Sequence, residues 1–370
     1  MYTSKKFFVL FFFILGCFFV YTQEESQDDT WIRLSYETSS PADTISILSS
    51  DRSKMLYKVI MYEGSHNIDL PIPHGLAKDI SSFVIDSSDY GLVKAFITDS
   101  PDDIRLTDLS VILDYDNSSP VFICRWAALP DFLVFNFKTY AVQSSYLRRI
   151  AFFVEKPGFR GRIASPGEVA NLHDWNAHDY PARALAAFFD TAYRNSISLL
   201  PAEEELLSIL LANKIITKAP DGYLPVSGGL ISISRESPPV LRRTLLIHES
   251  LHALYFSLPS LRADVYDTWE NLLPEARKTF YGFMQWMSYD TKHYPLVATE
   301  FFAYMLQQDI EQLRWYINAR ILPRAASALG SIPAEPEEIE NAFLLAAEKM
   351  EKDLQKHFPF SAGNTILVSR

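Results

Sequence analysis

Basic runs are missing from this 370-residue chain: its formal net charge is -11, and Lys and Arg nowhere gather in a block. Phosphate backbones are held by clustered cationic side chains, so nucleic-acid binding has no electrostatic support. A glycine-rich phosphate loop and a serine-nucleophile elbow are absent as well, which removes the usual nucleotide-binding and serine-hydrolase readings. Cysteine is nearly missing: Cys17 and Cys124 are the only two, and Cys17 belongs to the leader described next, so an internal disulfide is excluded from the remainder. Cys124 ends the apolar run Val121-Phe122-Ile123-Cys124, where a small buried side chain is expected rather than a nucleophile.

An apolar run of comfortable membrane-spanning length is lacking too. The longest candidate, residues 7–20, follows Lys5 and Lys6 and precedes an acidic stretch at 23–29, the layout of a secretory signal. Cleavage near Thr22 would remove residues 1–22 with two lysines and no acid, giving -11 - 2 = -13 for the mature chain. The alternative is the lipobox-like Ile14-Leu15-Gly16-Cys17, which would leave a lipidated Cys17 as N-terminus, although Phe18-Phe19-Val20 stays apolar where a lipoprotein turns polar. The expected location is exported: periplasmic, secreted, or lipid-anchored at the cell envelope, with membrane attachment only through the N-terminus.

What is present is enough apolar material, 48% of residues, to bury a core and form about two domains. From 31 to 162, short β-branched and aromatic runs (44–48, 55–62, 82–85, 93–97, 109–115, 132–137 and 150–154) alternate with turn residues, which predicts an antiparallel β-sandwich over 23–162. After a Pro- and Gly-rich stretch at 157–181, helical patterns follow at 182–200, 202–215, 239–256, 274–288, 295–319 and 337–357, making 163–370 a mainly helical domain. Pro239, Pro274 and Pro295 suit first helical turns, and the acids of 335–340 suit a helix start. A strand is expected at Leu230 to Ser234, after the turn signal Gly228-Gly229.

The run Leu246-Ile247-His248-Glu249-Ser250-Leu251-His252-Ala253-Leu254 holds an H-E-x-x-H motif in an apolar frame. Histidines at i and i+4 share one helix face, so His248 and His252 can reach one metal ion, Zn2+ being the expected cofactor, while Glu249 is placed to take a proton from water. A third protein ligand is then needed, and the metzincin extension is absent, since positions 255 and 258 are Tyr and Leu. The best candidate is Glu300, the lone acid of Leu296-Val297-Ala298-Thr299-Glu300-Phe301-Phe302-Ala303, where an unpaired carboxylate would be costly to bury. Glu270 and Glu275 are rivals with solvated neighbours. Asp179 in His178-Asp179-Tyr180-Pro181 is expected to cap the helix that follows, a second metal pair with His178 being the alternative. Arg242 and Arg243 read as a solvated or paired helix edge, and Tyr255 as core.

An H-E-x-x-H helix followed some fifty residues later by a Glu-bearing helix resembles the gluzincin arrangement of zinc metallopeptidases, and Thr299-Glu300-Phe301-Phe302-Ala303 is similar to the Glu helix of anthrax lethal factor-like peptidases. The resemblance covers about 248–306. With the patterns above, which read as a multidomain α+β chain, it implies that the second part is a zincin-like endopeptidase or aminopeptidase domain hydrolysing peptide or protein substrates, with a tyrosine shortly before the Glu that stabilises the oxyanion. Tyr294 stands near that place and His293 at the more usual offset. The substrate backbone is expected to align on the strand 230–234. The rival reading is a catalytically silent, zinc-stabilised envelope protein whose β-module binds a partner. Oligomeric state is left open.

Overall fold

The computed structural model describes residues 31–38, 44–49, 53, 55–60, 64–71, 83–86, 94–98, 104–115 and 119–365. The expected leader, its cleavage point and Cys17 lie outside the described residues. Six strands come first: β1 (Trp31–Thr38), β2 (Thr44–Ser49), β3 (Met55–Ile60), β4 (Gly64–Pro71), β5 (Phe83–Asp86) and β6 (Lys94–Thr98). They form two three-stranded antiparallel sheets, ordered β4-β1-β6 and β3-β2-β5. Alternation along β1 buries Ile32, Leu34 and Tyr36 on one face.

The next segment joins the C-terminal half. After β7 (Arg105–Thr107) and helix α1 (Leu109–Asp114), β8 (Val121–Trp126) and β9 (Leu129–Phe137) lead into α2 (Tyr140–Glu155). The short α3 (Pro166–Val169), β10 (His178–Pro181), α4 (Ala182–Arg194), α5 (Pro201–Ala212), the hairpin β11 (Ile216–Ala219) and β12 (Gly222–Pro225), and β13 (Gly229–Ser234) follow. A five-stranded mixed sheet results, ordered β10-β13-β9-β8-β7, with β13 parallel to β9 and β10 antiparallel to β13. The boundary expected at residue 162 therefore runs through this sheet, because strands from both sides of it pair. The chain is mixed α and β, with antiparallel sheets early and helices dominating late.

Both faces of the mixed sheet are covered, which is why β13 is buried throughout. Leu133, Phe135, Phe137 and Leu230 point toward α2, α4 and α5, while Phe132, Val134, Ile231 and Ile233 point the other way, toward α6 (Pro239–Ser257). Behind α6 lie α7 (Pro259–Glu270), α8 (Pro274–Trp286), α9 (Tyr294–Leu306), α10 (Ile310–Tyr316), a π-helical turn Ile317–Ile321, α11 (Leu322–Leu329) and α12 (Pro336–Gln355). As expected, Pro239, Pro274 and Pro295 stand in first turns, where the missing N–H costs nothing, and Glu337 and Glu338 open α12.

Three expected elements differ. Residues 150–154 and 109–115 are not strands but parts of α2 and α1, because a short unbroken apolar run carries no period of its own. Their caps settle the matter: Thr139 Oγ1 accepts from Val142 N at 3.2 Å, and Asp108 Oδ1 from Ser110 N at 3.0 Å. The helix expected over 295–319 breaks after Leu306, and Asp309 starts α10 by accepting from Gln312 N at 2.8 Å.

Candidate metal centre

α6 is sandwiched between β13 and α9, so the turn bearing its two histidines is enclosed. His248 and His252 turn their Nε2 atoms toward each other, 3.1 Å apart. Glu300 approaches from α9, with Oε2 3.3 Å from His248 Nε2 and Oε1 3.7 Å from His252 Nε2. Ligands about 2.0–2.2 Å from a tetrahedral ion lie roughly 3.3–3.5 Å from one another, so these separations suit one small cation. All three side chains are buried, with exposures of 7%, 1% and 3%. Glu249 Oε2 and Glu300 Oε2 are buried without a hydrogen-bond partner among the described residues. Native structures seldom leave carboxylate oxygens so, and an ion beside them resolves the deficit.

The outer nitrogens are held. Gln308 Nε2 donates to the Tyr304 carbonyl at 3.0 Å, so its Oε1 accepts from Gln307 Nε2 at 3.1 Å. Gln307 must then present Oε1 to His248 Nδ1, 2.8 Å away. That makes Nδ1 the protonated nitrogen and leaves Nε2 a lone pair aimed into the cluster. His252 Nδ1 meets Thr299 Oγ1 at 2.9 Å, one residue before the Glu300 that completes the set.

Electrostatics follow from burial and crowding. Burial pushes the Glu249 carboxyl up to about 7; the neighbouring His248 opposes this and Glu300 adds to it. Burial also drives His252 well below the ordinary imidazole value, helped by His248. At His248 burial pulls the same way, but the Glu300 carboxylate overrides it and the net shift is upward.

Two acids join the site unforeseen. Asp179 does not cap α4, whose N-cap is Pro181 with no side-chain hydrogen bond. It lies on β10, facing α6, with Oδ1 3.8 Å from His252 Nε2 and a hydrogen bond to Glu249. Burial raises its pKa well above the usual carboxylate value, reinforced by Glu249, Glu155 and Glu300. Glu155, the last residue of α2, is likewise pushed up to about 8 by burial and by Glu300 and Glu249. Asp179, Glu249 and His252 form a second donor group, but both groups use His252. Its Nε2 lies within 4 Å of both Glu300 and Asp179, and one nitrogen ligates one ion, so the two groups together could hold one ion through it and not two. Strand alternation sends His178 to the opposite face, where Nδ1 pairs with Tyr180 Oη at 2.9 Å.

Neither tyrosine-position candidate reaches the cluster. The Tyr294 hydroxyl donates to the Glu270 carboxylate and its ring stacks on Tyr266, while His293 is the half-buried N-cap of α9. The tyrosines that feel Glu300 and Glu249 are Tyr289 and Tyr304, hydrogen-bonded to each other, with Tyr304 edge-on to His248 at 4.8 Å. Glu270 pairs with Arg277 at 2.9 Å in solvent and Glu275 opens α8, so neither rival acid joins the histidines. Tyr255 and Cys124 are core as expected, and Arg242 donates to the Leu113 carbonyl, tying α6 to α1.

Compared with family models, with curated proteins and with solved structures, the chain matches none.

Proposed function

We propose that this chain is an exported zinc-dependent peptidase, with His248, His252 and Glu300 as ligands and Glu249 as general base. The observation that carries the reading is the convergence of three buried donor atoms beside the unpartnered Glu249 Oε2. Zinc bound there supplies Lewis-acid polarisation of a peptide carbonyl and lowers the pKa of a water to about 7. Glu249 would act as the general base, accepting a proton from the attacking water and returning it to the departing amine. Asp179, hydrogen-bonded to Glu249, holds it in place. A site kept only for structure has no use for a buried acid with one carboxylate oxygen left unpartnered.

The expected substrate-aligning strand needs correction. β13 is paired on both sides, by β10 and β9, so it has no edge to offer. The strand at the sheet's end beside the metal centre is β10, and an extended peptide added there would pass Asp179. We read the two N-terminal three-stranded sheets, which both contribute to one buried cluster through Ile32, Ile47 and Val59, as a small sandwich, and the remainder as zincin-like. Among the described residues no helix is long and apolar enough to cross a membrane.

Glu249→Gln tests the assignment: zinc content should stay at about one ion per chain while peptide cleavage falls by roughly 10² to 10⁴. Equal cleavage by the variant would refute the general-base role.

A further inference from the structure

A cleft opens beside the metal centre at the C-terminal end of β10, walled by Phe132, Pro181, Val226 and Phe256, with Arg183 and Arg262 as its only charged lining residues among the described residues. One ring stands between it and the site: Phe256 lines the cleft and stacks on His252, centroids 6.3 Å apart, and the Arg183 guanidinium lies 5.6 Å over Phe256. Pro181 is two residues beyond Asp179 on β10, so at about 3.3 Å per residue the cleft begins roughly 7 Å along the strand from the metal centre. A peptide laid on that edge would place a side chain or chain end one or two residues from its reacting bond in this cleft.

The chain carries a net charge of -11, yet this cleft is lined by two arginines and no acid. Neither Arg183 nor Arg262 has a carboxylate within 4 Å among the described residues, a lack shared with Arg125, Arg160, Arg320 and Arg324, so what distinguishes the pair is that both line one cleft. Arg262 is pinned by Nη1, which donates to the Tyr255 and Phe256 carbonyls at 3.2 and 2.5 Å, so the fork is oriented before any ligand arrives. Its Nε and Nη2 are not used in those bonds. Apolar walls around a fixed guanidinium and a second, exposed one make a receptor for a planar anion.

We infer that this cleft binds a carboxylate of the substrate peptide, either an acidic side chain or the free C-terminus. The inference rests on the peptidase reading for the identity of the ligand, but not for the binding itself. The test uses the full-length, zinc-loaded Glu249→Gln protein, immobilised and exposed to a short random peptide library synthesised with free and with amidated C-termini. Retained peptides are read by mass spectrometry, while zinc content and wild-type cleavage are measured separately. Acidic residues at one position, or free over amidated ends, should be enriched about tenfold, the enrichment should shrink as salt is raised, and it should vanish in Arg183→Gln, whose exposed side chain can change without disturbing the fold. Which of the two enrichments appears identifies the source of the carboxylate. Retention without either enrichment, no retention, or an enrichment unchanged in Arg183→Gln and in Arg262→Lys would overturn the inference. Cleavage without enrichment defeats the cleft alone; enrichment without zinc or cleavage defeats the peptidase reading alone.

Discussion

Gln307→Met isolates the contribution of the groups behind the ligands. The substitution keeps side-chain volume and removes the acceptor that His248 Nδ1 meets at 2.8 Å. A buried N–H left without a partner costs about 1–3 kcal/mol. The metal-free protein escapes that cost by moving the proton to Nε2, where Glu300 Oε2 lies 3.3 Å away. The zinc-bound form has no such escape, because Nε2 must keep its lone pair for the ion. The penalty therefore falls on binding, and at about 1.4 kcal/mol per decade it weakens zinc affinity roughly ten- to a hundredfold. Competition with a chromophoric chelator measures it, and the thermal midpoint of the stripped protein should move little. Gln308→Met, which only frees the Gln307 amide to turn over, should cost less. If Gln307→Met binds zinc as tightly as wild type, the assignment of Nε2 as the ligating atom is wrong.

Glu300→Gln should lose zinc while Glu270→Gln, altered at an exposed acid, keeps it; the reverse order in elemental analysis would reassign the ligand. Tyr289→Phe should lower cleavage by about 10² if its hydroxyl supports the oxyanion, and Tyr294→Phe should leave cleavage near wild type; equal rates in both would remove a tyrosine from the mechanism. His178 is fully buried and pushed down to about 4 chiefly by burial. Between about pH 4 and 6.5 the unfolded chain then binds a proton at this position and the folded chain does not, so the His178 contribution to stability falls as pH drops through that window, by roughly 3 kcal/mol in all, while the raised Glu155 and Glu249 carboxyls contribute with the opposite sign. Denaturant titrations should show wild type losing stability relative to His178→Gln as pH drops through that window; identical pH dependence in the two would refute the linkage.

The parts of the site legible in the sequence are those whose geometry is local. His248 and His252 are fixed by one helical turn, and Glu300 betrays itself because an acid in an apolar helix needs a partner. Glu155, Asp179 and Tyr289 carry no such signature. Glu155 follows Val154 at the end of a run that reads equally as strand or helix, and Asp179 lies just before a proline, where capping is the ordinary reading. Asp179 reaches Glu249 only because the sheet orders its strands β10-β13-β9, a pairing between segments far apart in the chain. The same non-local pairing hides the surroundings of residues 230–234: the alternation of Leu230 to Ser234 reveals a strand, and nothing in it says that two neighbours flank it.

That strand order also explains why the chemistry sits where it does. β13 is central and fully buried, so it gives α6 a flat apolar surface and fixes the height of His248 and His252 above the sheet. β10 closes the sheet on that side with only the four residues His178–Pro181, and among the described residues pairs with β13 alone. A short terminal strand leaves backbone groups for an incoming peptide, and its alternation directs Asp179 to the metal face while turning His178 away. Two residues further on, the same strand delivers Pro181 to the cleft, and the first turn of α4 delivers Arg183. One four-residue strand thus sets the distance between the reacting centre and the group that would select its substrate. Shortening β10 by one residue between Asp179 and Pro181 would exchange the faces of Asp179 and His178, replacing the acid hydrogen-bonded to Glu249 with an imidazole.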